Sequence, residues 1–191
     1  GSCAAPGAAG AAGGVAGRTA GLEGAGVVGI AGAAEKAAFL EDEWGFDAPV
    51  DSTATPDDSY GAALDAVAPD GVDAYFDNVG GPLTDAVFER LTRDARVAVC
   101  GQIALYNREG TPTGPRKLST LLERSATAEG FLVGDFRGRF GDARERLAGW
   151  LRRDAIATRE TVTEGLANAP EAFCGLFEGA NVGKQLVAVD P

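Results

Sequence analysis

Apolar runs rich in valine and isoleucine recur along the chain, and segments with helical periodicity separate them. This alternation predicts a parallel α/β sheet with helices between its strands. The predicted strands are Ala25–Ala31, Ala48–Asp51, Val72–Asp77, Ala95–Gly101 and Gly130–Gly134. The predicted helices are Gly13–Glu23, Ala34–Trp44, Ser59–Val67, Pro82–Leu91, Leu118–Ala126 and Gly141–Arg153.

The pattern changes after Asp154. Thr158–Thr163 alternates like a strand, Ala169–Phe177 has the period of a helix, and Gln185–Val189 is a short apolar run typical of a closing strand. We therefore expect residues 1–154 to form one domain and residues 155–191 to be a segment of another domain.

Small residues crowd the region before the first predicted helix. Residues 8–17 read AAGAAGGVAG, which has the spacing AxGxxGxxxG. Small residues let a backbone turn tightly beside a pyrophosphate, whose charge the helix N-terminus stabilises, although the same spacing also suits a helix-packing face. The helix and valine-rich strand that follow favour the phosphate loop and predict a Rossmann fold, a doubly wound parallel sheet. The candidate cofactor-binding residues of the loop are Ala8, Gly10, Ala11, Ala12 and Gly13.

The end of the next predicted strand indicates the type of dinucleotide. An NAD-binding protein usually places Asp or Glu there to hold the ribose 2′-hydroxyl, but this chain has Gly32. Gly32 leaves room for a 2′-phosphate, and Lys36 adds positive charge one helical turn later. NADP is therefore favoured over NAD, unless Lys36 is only a solvated helix residue.

Composition excludes several function classes. The 191 residues include no histidine, which removes a Ser-His-Asp triad, a Cys-His dyad and a His-ligated metal site. The net charge of −11 argues against binding to nucleic acid or to an anionic membrane. The acidic excess is typical of salt-adapted proteins, although a GC-rich genome also favours Asp and Arg over Lys. Three widely spaced cysteines and the lack of a long apolar run predict a cytoplasmic protein.

Five motifs resemble one family in their order and spacing across nearly the whole chain. They are VVGIAG at 27–32 with the following Glu35-Lys36, YFDNVGG at 75–81, RVAVCG at 96–101, Tyr106-Asn107, and NVGK at 181–184. Together they resemble the zinc-independent medium-chain dehydrogenase/reductases, specifically the NADP-dependent alkenal/enone reductases that include leukotriene and prostaglandin reductases. In that family a GroES-like catalytic domain precedes the Rossmann domain, and the tail returns to complete the catalytic domain.

The resemblance implies roles for individual residues. It places Lys36 at the adenosine 2′-phosphate, Asn78 with its neighbour Val79 near the nicotinamide, and Asn181 in the tail on the nicotinamide side. The strand-edge residues above the cofactor are Cys100 and Gly101, and the best polar candidate at the substrate is Tyr106. Two ordinary explanations stay open, because residues 78–81 could form a simple turn and Cys100 could be a small buried hydrophobe.

The chain also departs from the family pattern. Ser52 stands where relatives usually have Tyr, and Arg18 stands where Gln is common, so Arg18 either helps to bind phosphate or lies on the surface. Relatives enter the glycine loop from a hydrophobic strand, whereas only residues 1–6 precede it here. We therefore expect the central first strand of the sheet to be truncated.

The implied activity is hydride transfer from NADPH to the β-carbon of an enone or alkenal, or reduction of a quinone, without a metal. Tyr106 is expected to assist the developing enolate, with a ribose hydroxyl or water equally open as the proton source. A homodimer is expected for the full-length form. The alternative is an NADP-binding or interaction module without turnover. A short-chain dehydrogenase is disfavoured, because no tyrosine has Lys four residues later.

Overall fold

The computed structural model describes residues 1–189, which fold around a six-stranded, entirely parallel sheet. Its strands are β1 Ser2–Pro6, β2 Gly26–Ala31, β3 Ala48–Asp51, β4 Val72–Asp77, β5 Leu91–Val99 and β6 Thr127–Gly130. The helices between and after them are α1 Ala11–Leu22, α2 Ala34–Trp44, α3 Tyr60–Val67, α4 Gly81–Glu89, α5 Leu118–Arg124 and α6 Phe140–Arg152. The strand order β3-β2-β1-β4-β5-β6 is that of a Rossmann fold, so the predicted fold class is confirmed.

The first strand is present, and the expectation of a truncated central strand is wrong. Ser2–Pro6 forms β1, which pairs in parallel with β2 from Ser2↔Gly26 to Pro6↔Ile30 and with β4 on its other side. The sequence SCAAP hides this strand, because alanine has a low β propensity and carries little hydrophobic signal. Ala4 and Ala5 are nevertheless completely buried, since the centre of the sheet is covered on both faces.

The last strand of the sheet differs from its predicted position. Gly130–Gly134 was the expected strand, but β6 spans Thr127–Gly130 and a 3₁₀ turn covers Val133–Arg139. The reason lies in the neighbouring strand, because β5 ends at Val99, which pairs with Gly130. Beyond that point the apolar run has no continuing partner strand, and Leu132 and Val133 are left 74% and 71% exposed.

Two apolar clusters hold the helices against the sheet. The larger one joins α3 and α4 to the strands through side chains such as Leu64, Leu83 and Val87. The smaller one joins α1 and α2 around Trp44 and Phe46. Small strand residues allow close packing, since a Cβ on Gly29 would lie 2.7 Å from Leu40 Cδ1.

The segment after α6 forms a separate small sheet. Strands β7 Glu160–Glu164 and β8 Lys184–Ala188 pair in parallel, and α7 Ala169–Phe177 connects them. The predicted strand–helix–strand order is therefore confirmed, with each strand shifted by a residue or two. The division into domains at 154/155 stays a prediction.

Arg18 joins α1 to the beginning of this segment. Its guanidinium lies 4.0 Å from the centre of the Trp44 ring, and its Nε donates to Gly14 O at 3.0 Å. Another guanidinium nitrogen donates to Ala157 O, and burial lowers the pKa of Arg18 to about 10. The expectation that Arg18 lies on the surface is wrong, because the side chain is buried and donates to backbone carbonyls. That Arg18 helps to bind phosphate stays a prediction.

Candidate cofactor site

A cleft of about 350 Å³ lies at the carboxyl ends of the central strands, where open parallel sheets bind their ligands. Loops that follow β1, β2, β4 and β5 form it together with the tail. The predicted residues that line it are Gly10, Ala11, Gly32, Lys36, Asn78, Val79 and Asn181. The structure therefore brings together residues from the two ends of the chain, such as Gly10 and Asn181.

The glycine loop turns from β1 into α1 at one side of the cleft. Gly7 has a φ of +62°, and its carbonyl accepts the Gly10 N–H at 2.9 Å. The helix has no side-chain cap and no acidic residue in its first turn. The first N–H groups of any α-helix lack partners within the helix, so this N-terminus can receive an anion.

The other loop residues hold the turn in place. Ala8 is completely buried and donates its N–H to Ile30 O at 3.0 Å, so that amide is already engaged. A Cβ on Gly13 would lie 2.7 Å from Pro6 O, which explains the glycine where α1 crosses the end of β1. Ala8, Ala12 and Gly13 do not line the cleft.

Lys36 reaches across the cleft to the tail. Its ammonium donates to Asn181 O at 2.8 Å and to Gly179 O. Partial burial lowers the pKa of Lys36, while the neighbouring Glu35 opposes that shift. Gly32 is exposed at the same end of the cleft, and a Cβ there would come no closer than 3.9 Å to Ser52 Oγ.

The tail lines one side of the cleft, and Asn181 is the residue of the tail that was predicted to belong to the site. Gly183 donates its N–H to Ala9 O at 2.6 Å and pairs in parallel with Gly10. Asn181 donates its side-chain amide to Gly183 O at 2.7 Å. The lining residues that the sequence did not single out are Gly7, Ala9, Ala31, Ile103, Leu176, Gly179, Gly183, Lys184 and Gln185.

The carboxylate of Asp77 organises the loop after β4. It is 1% exposed, and its Oδ1 accepts N–H groups from Val79 at 3.0 Å and from Gly80 at 2.9 Å. Its Oδ2 accepts the side-chain amide of Gln102 at 2.7 Å. Sequence reasoning missed both residues, although an Asp at the start of a glycine-containing turn is a known turn signal.

Asn78 and Tyr106 meet beside Gly101. A Cβ on Gly101 would lie 2.7 Å from Asn78 Oδ1 and 3.2 Å from Tyr106 OH. The Tyr106 hydroxyl accepts the Gln102 N–H at 3.3 Å, which leaves its own proton available for donation. Its side chain is 62% exposed. Gly101 and Tyr106 thus lie next to the cleft, behind Asn78, and do not line it.

Cys100 is exposed at the end of β5, so the interpretation as a buried hydrophobe is wrong. Its backbone N–H donates to Asp77 O at 2.7 Å. Desolvation and the charge of Asp77 raise the pKa of its thiol, which is therefore protonated at neutral pH.

The charge of the cleft is opposite to that of the protein. Among the described residues that line it, Lys36 and Lys184 are the charged ones, and none is acidic. The chain as a whole carries a net charge of −11. Local excess of positive charge in a strongly negative protein marks the cleft as a site for an anion.

Residues 1–189 contain no group of three His, Cys, Asp or Glu side chains placed to hold a metal ion. None of their helices combines the length and the apolar character that a membrane crossing requires.

Comparisons with known proteins agree with the resemblance. YfmJ of Bacillus subtilis, named "Putative NADP-dependent oxidoreductase YfmJ", is 47% identical over 173 residues, which are 89% of this chain and 50% of YfmJ. The NADP-dependent 2-alkenal reductase of Nicotiana tabacum is 40% identical over 163 residues, which are 85% of this chain and 47% of that protein. The chain thus spans about half the length of the curated relatives it matches.

A solved structure shows the same arrangement of elements. CurA from Vibrio vulnificus, crystallised in complex with NADPH, matches with a TM-score of 0.92 and 38% identity over 100% of this chain and 57% of CurA. A family profile described as "Zinc-binding dehydrogenase" matches residues 11–149. That this chain works without zinc stays a prediction. The chain belongs to the zinc-binding dehydrogenase family, and its relatives are the NADP-dependent reductases that its motifs resemble.

Proposed function

We propose that this chain is the NADP-binding part of an oxidoreductase that reduces the C=C bond of α,β-unsaturated carbonyl compounds or reduces quinones. One observation carries the proposal: the cleft at the strand ends has Lys36 and Lys184 in its lining and no carboxylate, although the chain is strongly acidic. The names of the tobacco 2-alkenal reductase and of YfmJ support an NADP-dependent reductase, and CurA was solved with NADPH.

The described residues fit a dinucleotide with a 2′-phosphate. The uncapped N-terminus of α1 suits the pyrophosphate, and open space at Gly32 suits a ribose with a phosphate on it. Lys36 has a third ammonium N–H besides the two that the tail carbonyls accept. Since Gly32 has no side chain, no carboxylate at that position repels the phosphate.

Bound NADPH would supply a hydride to the β-carbon of the substrate. Tyr106 would then donate a hydrogen bond to the oxygen on which negative charge develops, because none of the described residues accepts its hydroxyl hydrogen. A ribose hydroxyl or water would be equally open as the source of the transferred proton. Asn78 would contact the nicotinamide side from the loop after β4. These roles need no metal ion.

The alternative function is a module that binds NADP or a partner without turnover. It is favoured by the exposure of apolar tail side chains, among them Leu166 and Phe173. We also propose a homodimer and a cytoplasmic location for the full-length protein. The homodimer is supported by the open edge at β6, whose residues are all exposed.

Fluorescence quenching tests the cofactor. Trp44 packs beside α1, so binding at the glycine loop should change its emission. We expect NADPH to bind this chain about tenfold more tightly than NADH, because one charged hydrogen bond to phosphate contributes roughly 1 to 3 kcal/mol. Equal affinities, or a preference for NADH, would refute the assignment of NADP. Assay of a longer protein with a panel of alkenals, enones and quinones tests the substrate class.

A further inference from the structure

We propose that Asp77 and Gln102 are positioning residues for the nicotinamide end of bound NADP(H). This inference rests on the function proposed above and extends it to two residues that line no part of the cofactor cleft. Their side chains form one partly buried hydrogen bond, Gln102 Nε2 to Asp77 Oδ2 at 2.7 Å, between the loops that follow β4 and β5. Those loops carry Asn78 and Tyr106.

Every polar contact of the Asp77 side chain goes to one of these loops or to its own strand. Oδ1 accepts the N–H groups of Val79 and Gly80, and the Tyr75 hydroxyl lies 3.4 Å away. The Asp77 carbonyl accepts the N–H groups of Cys100 and Gly101 at 2.7 and 3.1 Å. A fully buried carboxylate is costly unless such donors surround it, so the two loops are fixed relative to each other.

The backbone is shaped to receive the Gln102 side chain. Gly80 has a φ of +73°, and a Cβ there would lie 2.7 Å from Gln102 Cδ. The absence of a side chain at Gly80 is what lets the amide reach Asp77. This observation is independent of the hydrogen bonds of Asp77, and it indicates that the Asp77–Gln102 contact is built into the site.

The contact controls where both candidate functional side chains lie. Asn78 is held between Asp77 and Val79, and Tyr106 OH accepts the backbone N–H of Gln102 at 3.3 Å. Loss of the Asp77–Gln102 bond would therefore move the nicotinamide end of the cleft. The adenosine end lies elsewhere, with Gly32 in the loop after β2 and Lys36 in the first turn of α2, and would keep its geometry.

A pair of probes separates positioning from stability. NADPH contains the nicotinamide, whereas 2′,5′-ADP contains only the adenosine end with its 2′-phosphate. Gln102→Glu places a carboxylate against the Asp77 carboxylate, and we expect about a tenfold loss of NADPH affinity with less than about a twofold change for 2′,5′-ADP. Equal losses for both probes, or no loss for either, would overturn the inference.

Adding Asp77→Asn to Gln102→Glu tests the pair directly. The amide introduced by Asp77→Asn keeps an oxygen for the N–H groups of Val79 and Gly80 and offers an N–H to the new carboxylate. The double variant should therefore regain NADPH affinity to within about threefold of the unchanged chain, a non-additive result expected only for residues in contact. Failure of the second change to restore binding in a folded protein would contradict the proposal.

Asp73 provides the matched control. It lies on the same strand at the opposite end, where it accepts Ser2 N–H at 2.7 Å and the Thr92 hydroxyl at 2.5 Å. Asp73→Asn removes the same charge, so it should not restore NADPH binding to the Gln102→Glu variant. Restoration by Asp73→Asn would show that the Gln102→Glu effect is general repulsion of the cofactor, which overturns the positioning role.

Gln102→Leu decides the question if the Asp77 variants do not fold. It removes the hydrogen bond without adding charge. We expect it, like Gln102→Glu, to weaken the binding of NADPH while leaving the affinity for 2′,5′-ADP almost unchanged. Titration of the unchanged chain with both probes distinguishes failure of the proposed function from failure of the positioning role. Failure of that chain to bind either probe would refute the proposed function, whereas normal binding with no split in the variants refutes only the positioning role.

Discussion

The ammonium of Lys36, in the first half of α2, donates a hydrogen bond to the carbonyl oxygen of Asn181 in the tail at 2.8 Å. A second bond to Gly179 O makes Lys36 the cation that fastens the tail over the cleft. The residue predicted to recognise a 2′-phosphate thus also holds the tail segment that lines the cleft. Binding of a phosphate at Lys36 would consequently be coupled to the position of residues 179–181.

Lys36→Glu should weaken NADPH binding far more than NADH binding. The change replaces attraction to the 2′-phosphate with repulsion, which corresponds to a loss of about tenfold or more in affinity. Fluorescence titration with both cofactors measures it. Lys184→Glu is the matched control. It makes the same change of charge at another residue of the cleft lining, in β8, and so measures the general repulsion of both cofactors. The assignment of Lys36 is wrong if both cofactors lose affinity equally.

Tyr106→Phe should lower kcat for enone reduction more than it raises the dissociation constant of NADPH. The variant removes only a hydroxyl whose hydrogen is accepted by none of the described residues, so its effect is expected where negative charge develops on the substrate. The measurement requires a longer protein that carries the predicted preceding domain. An unchanged kcat would reduce Tyr106 to a packing residue.

Hydrophobic pattern and residue type predicted most of the sheet, but they failed where neighbouring strands decide the outcome. Val72–Asp77 was predicted with its exact bounds, because its apolar and aromatic residues carry a strong local signal. Ser2–Pro6 was missed, since its alanines become a strand only between β2 and β4. Gly130–Gly134 was placed too late in the chain and shares only Gly130 with β6, because the end of β5 at Val99 cannot be read from the β6 sequence.

The site shows the same division. That Gly10, Gly32 and Lys36 line one cleft could be predicted, because the pattern of small residues and positive charge along one βαβ unit is typical of a phosphate site. The bond between Asp77 and Gln102 could not, since it joins side chains on two loops whose separation depends on the pairing of β4 with β5. The tail carbonyls that bind Lys36 lie beyond any local pattern for the same reason.

Cys3 should make the protein less stable at alkaline pH. Burial raises the pKa of its thiol from an ordinary value of 9.0 to about 11. Between those values the unfolded chain loses the proton while the folded chain retains it, so the free energy of unfolding falls as pH rises. The loss should reach roughly 1.4 kcal/mol by about pH 10.

Urea denaturation at a series of pH values from about 7 to about 10 measures this effect against Cys3→Ala. The variant loses some packing at every pH, but the difference between the two proteins should shrink above the ordinary thiol pKa of 9.0, because only one of them carries the thiol. Other titrating groups, such as Arg18, are present in both and cancel. A difference that stays constant across the range would contradict the prediction.

Salt should stabilise the fold. A net charge of −11 produces mutual repulsion, and screening shortens its range from about 10 Å at 0.1 M salt to about 3 Å at 1 M. The same screening weakens surface ion pairs such as Arg90–Asp65, but these involve few of the 28 acidic residues. Chloride is the suitable anion for thermal denaturation, because sulfate also strengthens apolar burial. A melting temperature that fails to rise would refute the salt-adapted interpretation.

The 191-residue chain by itself should bind NADPH but not turn over enones at an enzymatic rate. Tyr106 is 62% exposed, so a substrate at its hydroxyl would face water and would be neither oriented nor shielded. Apolar side chains of the tail, including Val162, Phe173 and Phe177, are also exposed and offer a surface that another domain could cover. Incubation of the chain with NADPH and small enones or quinones, followed by absorbance of the reduced nicotinamide, provides the measurement. Turnover at about 1 per second or faster would overturn the prediction and would locate a complete active site within these residues.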